Sequence, residues 1–119
     1  MADANYRIGV ASSDGIVVNT HFGKARDFFI YEVATDGSYE LVEKRELEPI
    51  CESADHDEDR LSENLEKLSD CRFLLVARIG NRALYSAQSR GIYAFDVPGP
   101  IDESIVKLIR YKNAEDLFK

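Results

Sequence analysis

The sequence predicts an α/β fold: a mixed sheet of about five strands with helices on both faces. Three observations predict it. Asp36-Gly37 separates two strand-like runs, the mark of an antiparallel hairpin. Phe73-Leu74-Leu75-Val76-Ala77 is a continuous apolar run, which suits a strand buried on both faces. After it, helix-period and strand-period segments alternate, giving a β-α-β unit whose strands are parallel with a right-handed crossover.

The elements follow in order as β-β-β-α-β-α-β-α. Residues 6–12 read as a strand, with Ile8, Val10 and Ser12 alternating against Arg7, Gly9 and Ala11. Asp14-Gly15 marks a turn, and Ile16-Val17-Val18 is a short extended piece. Residues 19–25, which hold His21-Phe22-Gly23, form a loop or a single helical turn. Residues 27–33 are rich in aromatic and β-branched side chains and form a second strand. Residues 39–47 return as a third. Residues 48–60 are polar and acidic, and then Leu61, Leu65 and Leu68 lie at i, i+4 and i+7, one stripe of an amphipathic helix. Asp55 or Asp57 caps its start, where acids suit the helix dipole. The buried strand 73–77 ends at Gly80-Asn81. A helix over 82–90 buries Ala83, Leu84 and Ala87 and stops at Gly91 in a C′ position. Residues 92–97 are another strand, and Pro98-Gly99-Pro100 reads as a rigid turn. A helix over 102–111 turns Ile105, Leu108 and Ile109 inward, and residues 112–119 add a turn with Leu117 and Phe118 docking. There is no internal repeat, low-complexity stretch or linker.

Size and composition bound the rest. A chain of 119 residues is read as a single domain, 1–119, with one core that needs no disulfide. Lys+Arg 15 against Asp+Glu 22 gives a net charge of −7. Sequence-independent nucleic-acid binding needs a basic face, so that class is excluded. The longest apolar run is far short of a membrane span. Residues 1–5 show neither a basic n-region nor an apolar h-region, so the expected compartment is the cytoplasm.

The soft-ligand inventory is His21, Cys51, His56 and Cys71. Only Cys51 and His56 are near each other, and their spacing lacks the close pairing of structural zinc sites. His56 reads as a solvated histidine near a helix start, and Cys71 as a small buried apolar residue at a helix-to-strand junction. Cys51 follows the third strand in a polar segment and reads as an exposed thiol, which either has a task or is a liability. His21, between a loop aromatic and a flexible glycine, reads either as an exposed loop histidine or as a metal ligand or proton donor at the end of the sheet. Arg78-Ile79-Gly80-Asn81 joins the buried strand to a helix start, where free N–H groups and the dipole favour an anion. Arg78, Arg82, Lys24 and Arg26 add positive charge at that edge, although surface solvation accounts for some of them. No G-x-G-x-x-G, P-loop or G-x-S-x-G occurs. The carboxylates of residues 52–66 are the solvated start of a helix. The first strand holds no acid, which argues against two-metal nuclease chemistry.

Three segments carry a resemblance: residues 8–15 (IGVASSDG), 18–25 (VNTHFGKA) and 29–32 (FIYE). It continues through Pro49-Ile50-Cys51, Leu68-Ser69-Asp70-Cys71-Arg72, Val76-Ala77-Arg78-Ile79-Gly80 and Ser89-Arg90-Gly91-Ile92. Over residues 6–111 the chain resembles the dinitrogenase iron–molybdenum cofactor biosynthesis family, which includes small cofactor carriers and the C-terminal domain of the cofactor-assembly radical enzyme. The resemblance implies a ribonuclease H-like, three-layer fold with a mixed five-stranded sheet. It implies binding of an anionic metal–sulfur cluster: an iron–sulfur precursor, the mature iron–molybdenum cofactor, or a molybdenum–copper sulfide in one branch. The family's cofactor-linked histidine maps onto His21, and the cysteine after the third strand onto Cys51, the two metal ligands expected here. Phe22, Gly23, Arg78, Gly80 and Asn81 complete the expected cofactor-binding set. Cofactor-assembly proteins are the expected partners.

A sulfide-bridged cluster with a complete inner shell needs few protein bonds. One imidazole or thiolate, with N–H and arginine donors to the sulfides, holds it reversibly. The expectation is therefore a carrier rather than an enzyme. The alternatives are a molybdenum–copper sulfide protein outside nitrogenase, a cluster-free interaction or regulatory module on the same fold, and, weakest, a small hydrolase.

Overall fold

The computed structural model describes residues 5–49 and 57–116. The elements are β1 (Tyr6–Ala11), β2 (Val17–Val18), a 3-10 turn (Phe22–Lys24), β3 (Asp27–Val33), β4 (Tyr39–Glu46), α1 (Asp57–Lys67), β5 (Phe73–Val76), α2 (Asn81–Ser89), β6 (Tyr93–Asp96), β7 (Gly99–Pro100) and α3 (Ile101–Asp116). Five strands form one mixed sheet in the order β4-β3-β1-β5-β6. β3 runs antiparallel to both β1 and β4, while β1, β5 and β6 are mutually parallel. Among the described residues no helix is long and apolar enough to cross a membrane.

Helices cover both faces. Leu61, Leu65 and Leu68 of α1 and Ala87 of α2 pack with Phe28, Ile30 and Leu74 on one face. Ile101, Ile105 and Leu108 of α3 pack with Ile8, Val10, Phe73 and Leu75 on the other. β1 is the central strand, so Ile8, Gly9, Val10 and Ala11 are all buried despite their mixed sizes. Gly9 is there because the sheet is tight: a Cβ would stand 2.9 Å from Leu74 Cδ2.

The expected hairpin forms at Asp36-Gly37, where Asp36 Oδ1 accepts the Ser38 N–H at 2.9 Å and Gly37 takes φ +90°. Gly91 ends α2 at φ +79°, as its C′ position requires. Four details depart from the sequence reading. Pro98-Gly99-Pro100 is not a free turn, because Gly99–Pro100 pairs antiparallel with Val17–Val18 and the Ile101 N–H donates to Ile16 O at 2.9 Å. α3 starts at Ile101 and runs to Asp116, well past Tyr111. Leu84 is only half-buried, so Ala87 is the buried contact of α2. Asp57 is the first residue of α1 rather than its cap, and the alternative cap Asp55 lies outside the described residues, as do Leu117 and Phe118.

An ion network pins α1 to the sheet. Arg45 donates to both Asp70 oxygens at 2.8 and 3.0 Å and to the Lys67 carbonyl at 2.7 Å, near the end of α1. Arg7 donates to Asp70 at 3.0 Å and to Glu32 at 3.1 Å. The guanidinium of Arg45, with that of Arg7 adding, pulls the Asp70 carboxyl down to about 2 from 3.8. A depressed carboxyl contributes stability that is present above its unfolded value and lost as pH falls towards 2. Asp70→Asn is therefore expected to flatten the acid limb of a urea-midpoint against pH profile between about pH 4 and pH 2. Asp70 is part-exposed, so solvent screening keeps the slope small. An unchanged acid limb would show the network to be inert.

Candidate functional site

The topology collects one set of segments at a single end of the sheet. Parallel strands β1, β5 and β6 point their carboxyl ends there, and the antiparallel pairing brings the start of β3 and the end of β4 to the same place.

The loop after β1 is built by its own side chains. Asp14 Oδ1 accepts the N–H groups of Ile16 and Val17, which hold its carboxyl below the ordinary value. The buried Ser12 Oγ accepts the Gly15 N–H at 2.9 Å, and Asn19 Oδ1 accepts the Ser13 N–H at 3.0 Å. This fixed turn delivers the chain to His21.

There the His21 segment docks beside the exit of β5. His21 and Arg78 form a parallel bridge. The Ala77 N–H donates to Thr20 O at 3.0 Å, and the Phe22 N–H donates to Arg78 O at 2.8 Å. Phe22 is the anchor, buried and edge-on to Phe28 at 6.1 Å. Its burial turns the alternate residue outward, so His21 is exposed, as are Lys24, Arg78, Gly80, Asn81 and Arg82. Gly23 is half-buried inside the 3-10 turn. Gly80 is the N-cap of α2 in extended conformation, with no side-chain cap and no acid in the first turn. A helix start of this kind presents backbone N–H groups and the positive end of the helix dipole, which favour an anion. Lys24, Arg26, Arg78 and Arg82 stand against Asp27 in the segments 20–27 and 77–82, so these two bridged segments are basic, while Asp14, Glu46 and Asp96 lie at the same end of the sheet.

The structure therefore brings together His21, Phe22, Gly23, Arg78, Gly80 and Asn81. It does not bring Cys71 to them. Cys71 sits before the start of β5, at the opposite end of the sheet, roughly 20 Å away by the rise of a strand. It is buried, and burial, then the charge of Asp70, pushes its thiol up to about 12. Its burial and its place at the far end of β5 keep it out of the His21 site. Cys51 and His56 lie outside the described residues. Among the described residues no group of three or more His, Cys, Asp or Glu side chains is placed to hold a bare metal ion.

Two residues absent from the sequence reading position the chain ahead of Cys51. Asn64, buried in α1, donates to Glu48 O at 2.7 Å, and Arg60, one turn earlier, donates to Pro49 O at 3.1 Å. The Leu47 N–H donates to Arg26 O at 2.7 Å, tying the same segment to the end of the His21 loop. Their i, i+4 spacing on α1 was the available signal, but it reads equally as a solvated face.

Comparison with known proteins shows what the chain is similar to. A family model described as dinitrogenase iron-molybdenum cofactor matches residues 4–111. The FeMo cofactor biosynthesis protein NifB of Frankia alni is 33% identical over 104 residues, covering 85% of this chain and 20% of that protein. Protein NifX of Sinorhizobium fredii is 33% identical over 98 residues, covering 79% of this chain and 61% of its own length. The chain thus spans about a fifth of the Frankia relative. The crystal structure of PH0822 superposes with a TM-score of 0.66 at 23% identity, covering 87% of this chain and 89% of that one, and so shares the fold.

Proposed function

The chain belongs to the dinitrogenase iron-molybdenum cofactor family, and from that premise we propose that it binds and carries an anionic metal–sulfur cluster, the iron–molybdenum cofactor or its iron–sulfur precursor, during cofactor assembly. One observation carries the reading: the parallel bridge that sets the exposed His21 beside Arg78 at the uncapped start of α2. The strand order, with three antiparallel strands followed by two parallel ones, supports the ribonuclease H-like label.

The cluster is cargo, and its own sulfides complete most of its metal coordination. The protein then supplies one imidazole at an open metal position and cations and N–H groups to the sulfides. His21 is the ligand in this reading, with Cys51 as a second. Arg78, with Lys24 nearby, offsets the anionic charge, while Gly80 and Asn81 present backbone donors. Phe22 and Gly23 hold the loop in place. Few bonds make release to cofactor-assembly proteins easy, which is what a carrier needs, and no turnover is proposed. A molybdenum–copper sulfide would meet the same donors, so metal analysis decides the cargo.

The test is anaerobic loading of the whole chain with isolated iron–molybdenum cofactor, with its iron–sulfur precursor and with a molybdenum–copper sulfide in separate samples. After desalting, metals are counted and visible absorption recorded. Near-stoichiometric retention of molybdenum and iron, or of iron alone from the precursor, is expected. Retention of the copper species alone moves the chain to a molybdenum–copper function. No retention of any cluster sinks the carrier reading and leaves an interaction module.

A further inference from the structure

The His21 segment is held on two flanks. On one, Thr20 O accepts the Ala77 N–H at 3.0 Å, and the Phe22 N–H donates to Arg78 O at 2.8 Å. On the other, Val17 stands opposite Pro100 and Val18 opposite Gly99 in the short antiparallel ribbon. Ile16 O closes that flank by accepting the Ile101 N–H at 2.9 Å. Residues 16–22 thus run from the start of α3 to the exit of β5, and His21 lies within the second contact.

The ribbon flank is stiff by composition. Pro98 and Pro100 each fix their own φ, and each keeps the residue before it out of the helical region. Val97 is anchored from both sides: its N–H donates to Val76 O at 2.9 Å, and its carbonyl accepts the hydroxyl of the buried Ser104 at 3.3 Å. Between the two prolines Gly99 takes φ +132°, a conformation that L side chains rarely adopt. A Cβ there would meet nothing within 4 Å. Space does not require glycine at this position; the path of the backbone does.

We infer that Gly99 is a positioning residue for His21. Its positive φ turns the chain leaving β6 so that Gly99–Pro100 clasps Val17–Val18, and the clasp holds the His21 segment in register with Arg78 before any cargo arrives. The inference rests on the carrier reading of the His21–Arg78 edge. A segment tethered on the β5 flank alone would be ordered only on binding, and that ordering would be subtracted from the affinity. Held on both flanks, the imidazole meets the cluster already in place.

Gly99→Ala tests this, with Gly37→Ala as its control. Gly37 has φ +90° and equally open surroundings, but it lies in the β3–β4 hairpin at the opposite end of the sheet. The two substitutions therefore impose the same kind of strain, one on the clasp and one away from it. Native-state amide exchange of the whole chain is read at Ile101 and Phe22. Gly99→Ala is expected to speed both by about tenfold or more, and Gly37→Ala to leave Phe22 within about twofold of wild type. Binding is then read by anaerobic titration with isolated iron–molybdenum cofactor, or with its iron–sulfur precursor where the wild type retains that alone. Gly99→Ala is expected to bind about tenfold more weakly, and Gly37→Ala as wild type does. Should Gly99→Ala fail to fold, Pro100→Ala decides: at an exposed position it loosens the clasp without strain, and is expected to speed Phe22 exchange about two- to fivefold. No acceleration there overturns the inference. So does a Phe22 amide that responds no more to Gly99→Ala than to Gly37→Ala, or faster exchange with cluster affinity equal to wild type. If the wild type binds no cluster, the carrier reading falls, and the exchange comparison still decides whether Gly99 holds the His21 segment.

Discussion

Phe28→Ala is expected to cost about 3–5 kcal/mol of folding stability, a large share of the roughly 5–15 kcal/mol that a domain possesses. Phe28 is 1% exposed and lies in β3 opposite Ala11 of the central strand. It belongs to the apolar cluster that includes Leu47, Leu61 and Leu65, so α1 settles on the same cluster. Truncation leaves a cavity that this well-fixed surround fills only in part. The effect reaches the site because Phe28 is the ring against which Phe22 packs. Urea unfolding gives the stability, and amide exchange over residues 20–25 reports the loop. The account expects a lowered urea midpoint together with faster exchange at Ala25, whose N–H donates to Phe22 O. A loss under about 1 kcal/mol would mean that the cluster around Phe28 repacks freely.

The second large effect is on cargo, and it rests on the carrier reading. His21→Ala is expected to lower cluster affinity by at least ~100-fold, since loss of mere supporting partners of metal ligands already costs about 10–100-fold. Arg78→Ala is expected to cost about tenfold, the worth of one charge-assisted hydrogen bond. The His21 side chain is exposed and makes no capping hydrogen bond, so its removal is expected to leave stability within about 0.5 kcal/mol of wild type. That separation matters: a fall in cluster retention with unchanged thermal unfolding assigns the loss to ligation and not to folding. Equal retention by His21→Ala and wild type would remove His21 from the site while leaving open that the chain carries a cluster.

Much of the architecture was legible because it is written locally. Asp36-Gly37 can build a tight hairpin from its own backbone preferences, and it does. Leu61, Leu65 and Leu68 are spaced for one helix face, and all three are buried. The run from Phe73 to Val76 is apolar at every position because β5 lies between β1 and β6 with helices on either face. What stayed hidden depends on partners far away in the chain. Pro98-Gly99-Pro100 has every local mark of a turn, and only Val17 and Val18 make a strand of Gly99 and Pro100. The network of Arg7, Glu32, Arg45 and Asp70 has no local signal either, since surface charges look alike in sequence.

The site shows the same division. His21 and Arg78 each stood out, one as a loop imidazole beside an aromatic anchor, the other as a cation at a strand exit. Their bridge joins two distant segments through backbone bonds that any residue types could make. Arg60 and Asn64 were missed because their role is to hold main-chain carbonyls of Glu48 and Pro49, which no side-chain pattern records. Cys71 is legible as a core thiol, since a cysteine between a helix end and an apolar strand has little water to meet.

The most direct test of a cluster seated at the His21–Arg78 edge is nuclear magnetic resonance of the uniformly nitrogen-15-labelled chain, titrated anaerobically with the paramagnetic cluster. The imidazole resonances of His21 are expected to broaden beyond detection by one equivalent of cluster, and the Arg78 amide, its neighbour across the bridge, to follow. A cluster retained through desalting while the His21 resonances keep their position and width would contradict the account.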